Sequence, residues 1–158
     1  MHINSLSNSN KKEVFMSDQS NLPSWFKAFA IVSLIWNLMG VMAFISQVTM
    51  TPETLAAMPQ AEQNLYANIP FWATIAFACA VFGGTLGCIA LLMKKSMAVL
   101  LFSVSLIGLC VQLFHSFFII HSLDVYGPGG LIMPIMVVIW AVALLLVAKK
   151  SQTHQWIS

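Results

Sequence analysis

The sequence predicts an all-α, polytopic membrane protein: a four-helix transmembrane bundle with a short amphipathic segment between helices 1 and 2. Three observations predict it. Hydrophobic residues make up 59% of the chain and charged residues 8%, against roughly a quarter charged in soluble domains. Such a surface could not stay hydrated and free of apolar patches in water. The apolar residues fall in four long runs, at about 25–48, 70–93, 96–121 and 131–148. Each run is long enough, at about 1.5 Å per helical residue, to cross most or all of a hydrocarbon core of about 30 Å. With every backbone polar group obliged to find a partner locally in lipid, such runs are helices. The third observation is charge segregation. Numbering the sides by alternation puts Lys11, Lys12, Lys27, Lys94, Lys95, Lys149 and Lys150 on one side and Glu53, Glu62 and Asp124 on the other. Lysine marks the cytoplasmic face. The expected topology in a bacterial inner membrane therefore has both termini inside, with loops 49–69 and 122–130 periplasmic.

Residues 1–24 are polar and rich in Ser and Asn, a composition expected to be disordered. Lys12-Glu13-Val14 can be encoded as AAG-GAG-GTN, which contains a bacterial ribosome-binding sequence just ahead of the codon for Met16. The expected start of translation is thus Met16, with 1–15 untranslated. The first span follows, too long for a signal-peptide core and with no small-residue cleavage site after it. In 49–69, Thr51-Pro52-Glu53 reads as a helix start: a capping hydroxyl, Pro at the first position, an acid at the positive dipole end. Leu55, Met58, Leu65 and Ile69 recur at helical spacing opposite Gln60, Gln63 and Asn64, which predicts one or two short amphipathic helices interrupted near Pro59. Lys94-Lys95 form a tight connection between spans two and three, an antiparallel hairpin. Gly127-Pro128-Gly129-Gly130 break the chain before span four. Residues 149–158 form a cytoplasmic tail. Trp25, Tyr66, Phe71, Trp72, Tyr126 and Trp156 sit where interfacial aromatics are expected.

Span two carries small residues at helical spacing: Ala76, Ala80, Gly84 and Cys88 in one row, Cys79, Gly83 and Gly87 in another. Small side chains let helices approach closely, so these rows are helix-packing candidates, with dimerisation through the Ala76–Cys88 face as one use and a ligand-admitting groove at Gly83-Gly84 as another. Span three places Ser105, Gln112, His115 and Ser116 along one face, and Asn37 lies mid-way along span one, counted as about one turn deeper than Gln112. Amides, hydroxyls and imidazole can converge there on an uncharged polar core. Groups that both donate and accept suit a small neutral solute.

Several classes are excluded. No Asp, Glu, Lys or Arg falls deep in a span, so the proton-exchanging acid of many pumps is missing. No triad, metal cluster, phosphate loop or carboxylate pair points to an enzyme. His115 and His121 are six residues apart, about 120° out of alignment on one helix, and no metal, haem or other cofactor is expected. His121 and Asp124 read as a satisfied pair at the outer surface. Cys79, Cys88 and Cys110 read as buried free thiols. No basic stripe interleaved with aromatics points to nucleic acid.

Five segments carry a family resemblance: Leu34-Ile35-Trp36-Asn37-Leu38-Met39-Gly40, Ile69-Pro70-Phe71-Trp72, Ala80-Val81-Phe82-Gly83-Gly84-Thr85-Leu86-Gly87, Leu91-Leu92-Met93-Lys94-Lys95 and Ser103-Val104-Ser105-Leu106-Ile107-Gly108. Over the membrane region from Trp25 onward they resemble small four-span bacterial inner-membrane proteins often labelled "sugar transporter". The resemblance implies a transport-related role for a small neutral solute such as a sugar, and no particular binding residues. The alternative expectation is a non-catalytic assembly or stress-response factor that binds other membrane proteins. Expected partners are the lipid bilayer, a second copy of the chain and a small neutral solute.

Overall fold

The computed structural model describes residues 23–67 and 69–157. The expected start at Met16 and, up to residue 22, the expected disorder of 1–24 lie outside the described residues; Ser24 is already the first residue of a helix. The chain forms α1 (Ser24–Val48), α2 (Pro52–Ala56), α3 (Gln60–Ala67), α4 (Phe71–Leu92) and α5 (Met97–Phe114). α5 continues as a π turn, His115–Ile119, and is followed by α6 (Ser122–Tyr126), a 3-10 turn (Pro128–Leu131) and α7 (Ile132–Thr153). Among the described residues there is no strand.

Four helices, Ser24–Val48, Phe71–Leu92, Met97–Ile119 and Pro128–Thr153, are long and apolar enough to cross a membrane. Their outward faces carry Met42, Leu100, Ile107, Ile139 and Leu146, all exposed. Water would not tolerate that apolar surface; hydrocarbon would. The chain is a multi-pass membrane protein with an all-α bundle.

α4 is the central helix, with 56% of its apolar window buried against 11% for α1 and for α7. It packs tightly on α5 as an antiparallel hairpin and on α1, while α7 packs on α5. The hairpin is closed by a helix-end motif at Lys94, whose φ is +58°. The N–H of Lys94 donates to Leu91 O at 3.1 Å and that of Lys95 donates to Ala90 O at 2.8 Å. These bonds satisfy carbonyls that the helix end would otherwise leave bare in an apolar setting. The paired ammonium groups also stand at the negative end of the α4 dipole.

The amphipathic segment forms the two helices expected, split at Pro59. Thr51 Oγ1 accepts from Thr54 N–H at 3.2 Å, with Pro52 in the first turn. Gln63, placed by pattern on the polar face, reaches back to Met58 O at 2.8 Å and to Ala56 O at 3.3 Å, so its amide ties α3 to the end of α2. α3 packs against α6 and buries Leu65. The two form a cap on the acidic end of the bundle.

α7 runs past Lys149-Lys150 to Thr153, so the first residues of the expected tail are helical. A second helix-end motif follows. Gln155 has φ +56°, and the N–H groups of Gln155 and Trp156 donate to Gln152 O and Ser151 O. This turns Trp156 back to meet Trp25 and Phe26 edge to face at 6.4 and 6.0 Å. Ile157 is buried, and with Phe26, Leu91, Ala98, Phe102, Leu144 and Ala148 it closes the lysine end of the bundle.

Candidate functional site

α1 turns Phe26, Ala30, Ser33, Asn37 and Gly40 inward, a run spaced by three and four residues that keeps one face on α4. The antiparallel pairing is direct. Asn37 Nδ2 lies 3.7 Å from Cys88 Sγ and donates to Ser33 O at 2.8 Å. A Cβ on Gly84 would overlap Asn37 Oδ1, and one on Gly40 would stand 3.2 Å from Val81. Phe44 meets Phe77 edge to face at 5.5 Å.

The other side of α4 uses the second row of small residues. A Cβ on Gly83 would lie 3.1 Å from Leu101 O, and one on Gly87 would lie 2.6 Å from the Phe102 ring. From α5, Gly108 comes so close that a Cβ would stand 2.6 Å from Ala76 O. Ser105 Oγ donates to Ala80 O across the same interface. Ala76, Ala80, Gly83, Gly84, Gly87 and Cys88 are therefore buried inside one chain. Close packing is their role. The face expected to serve dimerisation is already covered by α1 and α5, and α4 runs unbroken past Gly83-Gly84. Cys79 departs from the row: it is exposed, as is Cys110, and only Cys88 is a buried thiol. Sequence spacing put all three in apolar runs but could not tell a lipid-facing position from a protein-facing one.

α1 and α7 flank the hairpin with no extensive backbone contact between them. Between them lies a cavity of about 410 Å³, walled by all four long helices. Asn37 and Ser105 line it, level with one another, and Gln112 lines it seven residues further along α5, about two turns toward the acidic end. Asn37 is thus two turns deeper than Gln112, not one, because it is seated opposite Gly84. The remaining lining is apolar, including Trp36, Met39, Phe77, Met133, Val137 and Trp140. Phe29 and Trp36 reach across to Trp140 at 5.6 and 6.2 Å, bridging α1 and α7 toward the lysine end. Gln112 Oε1 and Trp140 Nε1 are both buried with no hydrogen-bond partner among the described residues. Trp36 and Trp140 were not anticipated as wall residues; the one signal they carried is that both sit mid-span, where an interfacial belt does not account for an indole.

His115 and Ser116 do not join this cavity. The π turn begins at His115, with Ile120 N–H donating back five residues to His115 O at 3.1 Å. His115 is 1% exposed and meets Trp72 edge to face at 5.2 Å. It borders a second cavity, under the α3–α6 cap, with Asn64, His121 and Asp124. Its Nε2 has no partner among the described residues. Ser116 lines neither cavity. His121 and Asp124 are linked through backbone, the N–H of Asp124 donating to His121 O at 2.9 Å, not by the side-chain pair expected.

The chemistry available in the cavity between α1 and α7 is hydrogen bonding without charge. An amide oxygen accepts, an indole N–H donates, and the Asn37 amide and Ser105 hydroxyl are already committed to α1 and α4. Compared with known protein families, with curated proteins and with solved structures, the chain matches none.

Proposed function

We propose that this chain binds a small, hydroxyl-poor neutral molecule in the cavity between its four helices and takes part in that molecule's transport. The observation that carries the reading is a mostly apolar cavity lined by Gln112 and Trp140, each of which keeps a buried polar atom, Oε1 and Nε1, that no described group satisfies. An unpaired buried polar atom costs roughly 1–3 kcal/mol. A ligand hydroxyl, which both donates and accepts, would offset that cost by drawing either side chain toward the cavity.

The same lining argues against the sugar implied by family resemblance. A sugar carries a hydroxyl on nearly every carbon, and each one desolvated without a partner costs roughly 1–3 kcal/mol. Gln112 and the Trp140 indole, with Asn37 and Ser105 already engaged by α1 and α4, cannot meet that demand. The alternative role, an assembly factor that docks membrane proteins through small residues, loses its main support because those residues are covered within the chain. In orientation, the lysine end belongs on the cytoplasmic side of a bacterial inner membrane, with the α3–α6 cap outside.

The test is equilibrium binding of a panel of neutral molecules to the full chain in lipid nanodiscs, read by quenching of tryptophan fluorescence. Loss of the Gln112 contact in Gln112→Leu weakens binding about threefold to tenfold, the worth of one hydrogen bond. No saturable quenching by any panel member, or identical affinity in Gln112→Leu and Asn37→Leu, defeats the proposal. Proteoliposome uptake of sugars that depends on Asn37 and Gln112 would replace it with the sugar reading.

A further inference from the structure

We infer that the cavity is loaded sideways, from the hydrocarbon, through a gap between α1 and α7 flanked by Met39 and Met133, and that its ligand is a single-chain amphiphile with one hydrogen-bonding head. The inference rests on the proposed role of the cavity and adds route and ligand class.

Met39 and Met133 line the cavity, yet they are 61% and 59% exposed. A side chain can do both only where the cavity meets the outer surface of the bundle. The two residues stand on opposite walls, α1 and α7, whose backbones have no extensive contact. Aromatic rings bound it toward both ends of the bundle. Toward the lysine end the Phe29, Trp36 and Trp140 rings bridge α1 and α7, and Phe102 and Leu144 belong to the buried cluster beneath. Toward the acidic end, Trp72 and His115 meet edge to face on the next turns of α4 and α5.

What surrounds the gap decides what comes through it. The exposed neighbours of the two methionines are Leu38, Met42, Ile132 and Met136, with no polar group among them to hold water. Membrane-spanning helices present such a surface to lipid tails. A water-soluble solute would have to dissolve in hydrocarbon first, at a cost of several kcal/mol for each unpaired polar group, whereas an amphiphile is already there. Unbranched, flexible Met side chains can swing aside for a chain to pass. The volume, about 410 Å³, holds on the order of a dozen heavy atoms at ~30 Å³ each. Gln112 stands nearest the acidic end, where a head group coming from the interface would arrive, and the tail would run inward along Val137 and Ala141 toward Leu144.

The experiment uses the full chain in phosphatidylcholine nanodiscs and a diazirine-bearing straight-chain alcohol of about twelve carbons, sized to the cavity at ~30 Å³ per heavy atom. Cys79→Ala and Cys110→Ala remove the exposed native thiols, and Met39→Cys with Met133→Cys allows the gap to be bridged by a cleavable bismaleimide. Photolabelling is expected within 36–43 and 133–144, competed away by excess unlabelled alcohol. It should be lost on bridging and restored on cleavage. Competable labelling that survives bridging overturns the lateral route while leaving cavity binding intact. Labelling of the cavity by a water-soluble diazirine sugar, but not by the alcohol, overturns the ligand class. Labelling spread evenly over lipid-facing positions such as Leu100 and Ile107, without competition, overturns both this inference and the cavity reading beneath it.

Discussion

Asn37 on α1 occupies the space that a side chain at position 84 on α4 would need: a Cβ added to Gly84 would overlap Asn37 Oδ1, with Ser105 Oγ of α5 only 3.3 Å off. Three helices meet at this point, and the absence of a side chain at 84 is what lets the amide sit there. Gly84→Ala therefore has to push Asn37 out of its seat, and overpacking of this kind costs typically 1–3 kcal/mol. Thermal melting in detergent should show a clear loss for Gly84→Ala and for Gly87→Ala, which meets the Phe102 ring. Gly129→Ala, with nothing within 4 Å of its added Cβ, should melt like the parent. Equal melting of all three variants would mean the helices are not this close.

Lys94 adopts a left-handed backbone, φ +58°, where an L-residue is disfavoured by roughly 1–2 kcal/mol and Gly is not. Lys94→Gly should stabilise the hairpin by about 1 kcal/mol. Lys95→Gly removes the same charge without relieving any strain and is the control. The prediction fails if the two variants shift the melting temperature alike.

The bundle was legible in the sequence because hydrocarbon imposes a length and lysine placement imposes a direction. Ala76, Ala80, Gly83, Gly84, Gly87 and Cys88 were legible as packing residues for the same reason: small side chains in a span have few other uses. What could not be read was the partner. Spacing alone does not say whether a small-residue face meets a neighbouring helix or a second chain, and here Gly84 meets Asn37 and Gly87 meets Phe102. Nor could periodicity reveal that α5 changes to a π turn at His115, or that the His115 ring packs on Trp72 while Gln112 lines the cavity. Met39 and Met133 carried no signal, since a methionine in an apolar run looks the same facing lipid or cavity.

Orientation is open to direct measurement. Glu53 lies on α2 at the acidic end and Gln152 near the end of α7, and both are exposed. In a Cys79→Ala, Cys110→Ala background, a membrane-impermeant maleimide should modify Glu53→Cys in cells with an intact inner membrane. It should reach Gln152→Cys only after that membrane is broken. The reverse pattern would invert the topology and the placement of the α3–α6 cap.

Tyr126 on α6 lies beside Tyr66 on α3. Burial first, then the neighbouring Tyr66 and Glu62, hold the Tyr126 hydroxyl above its ordinary value near 10. The folded state therefore keeps this proton more tightly than the unfolded chain does. Its contribution is complete below about pH 10 and is lost as pH rises through the raised folded value. Melting followed at rising alkaline pH should fall more steeply for the parent than for Tyr126→Phe, which cannot ionise. Parallel slopes would show that the cap does not depend on this hydroxyl.

His115 poses the sharpest choice between structure and function on α5. Its ring is buried edge-on against Trp72 while Nε2 finds no partner among the described residues. If the imidazole only fills space, an apolar ring of similar shape does so without the unpaired nitrogen, and His115→Phe should melt higher by up to about 1–3 kcal/mol. His115→Ala, which leaves a hole under the cap, should lose about 2–5 kcal/mol whatever the role of the ring. A ring retained to bind something in the second cavity gives the opposite sign for the first variant once that ligand is present: the parent then melts above His115→Phe, because only the parent holds the bond. Melting both variants in purified detergent and again in native membrane vesicles separates the two cases. A His115→Phe protein less stable than the parent in both settings would mean that Nε2 has a partner after all.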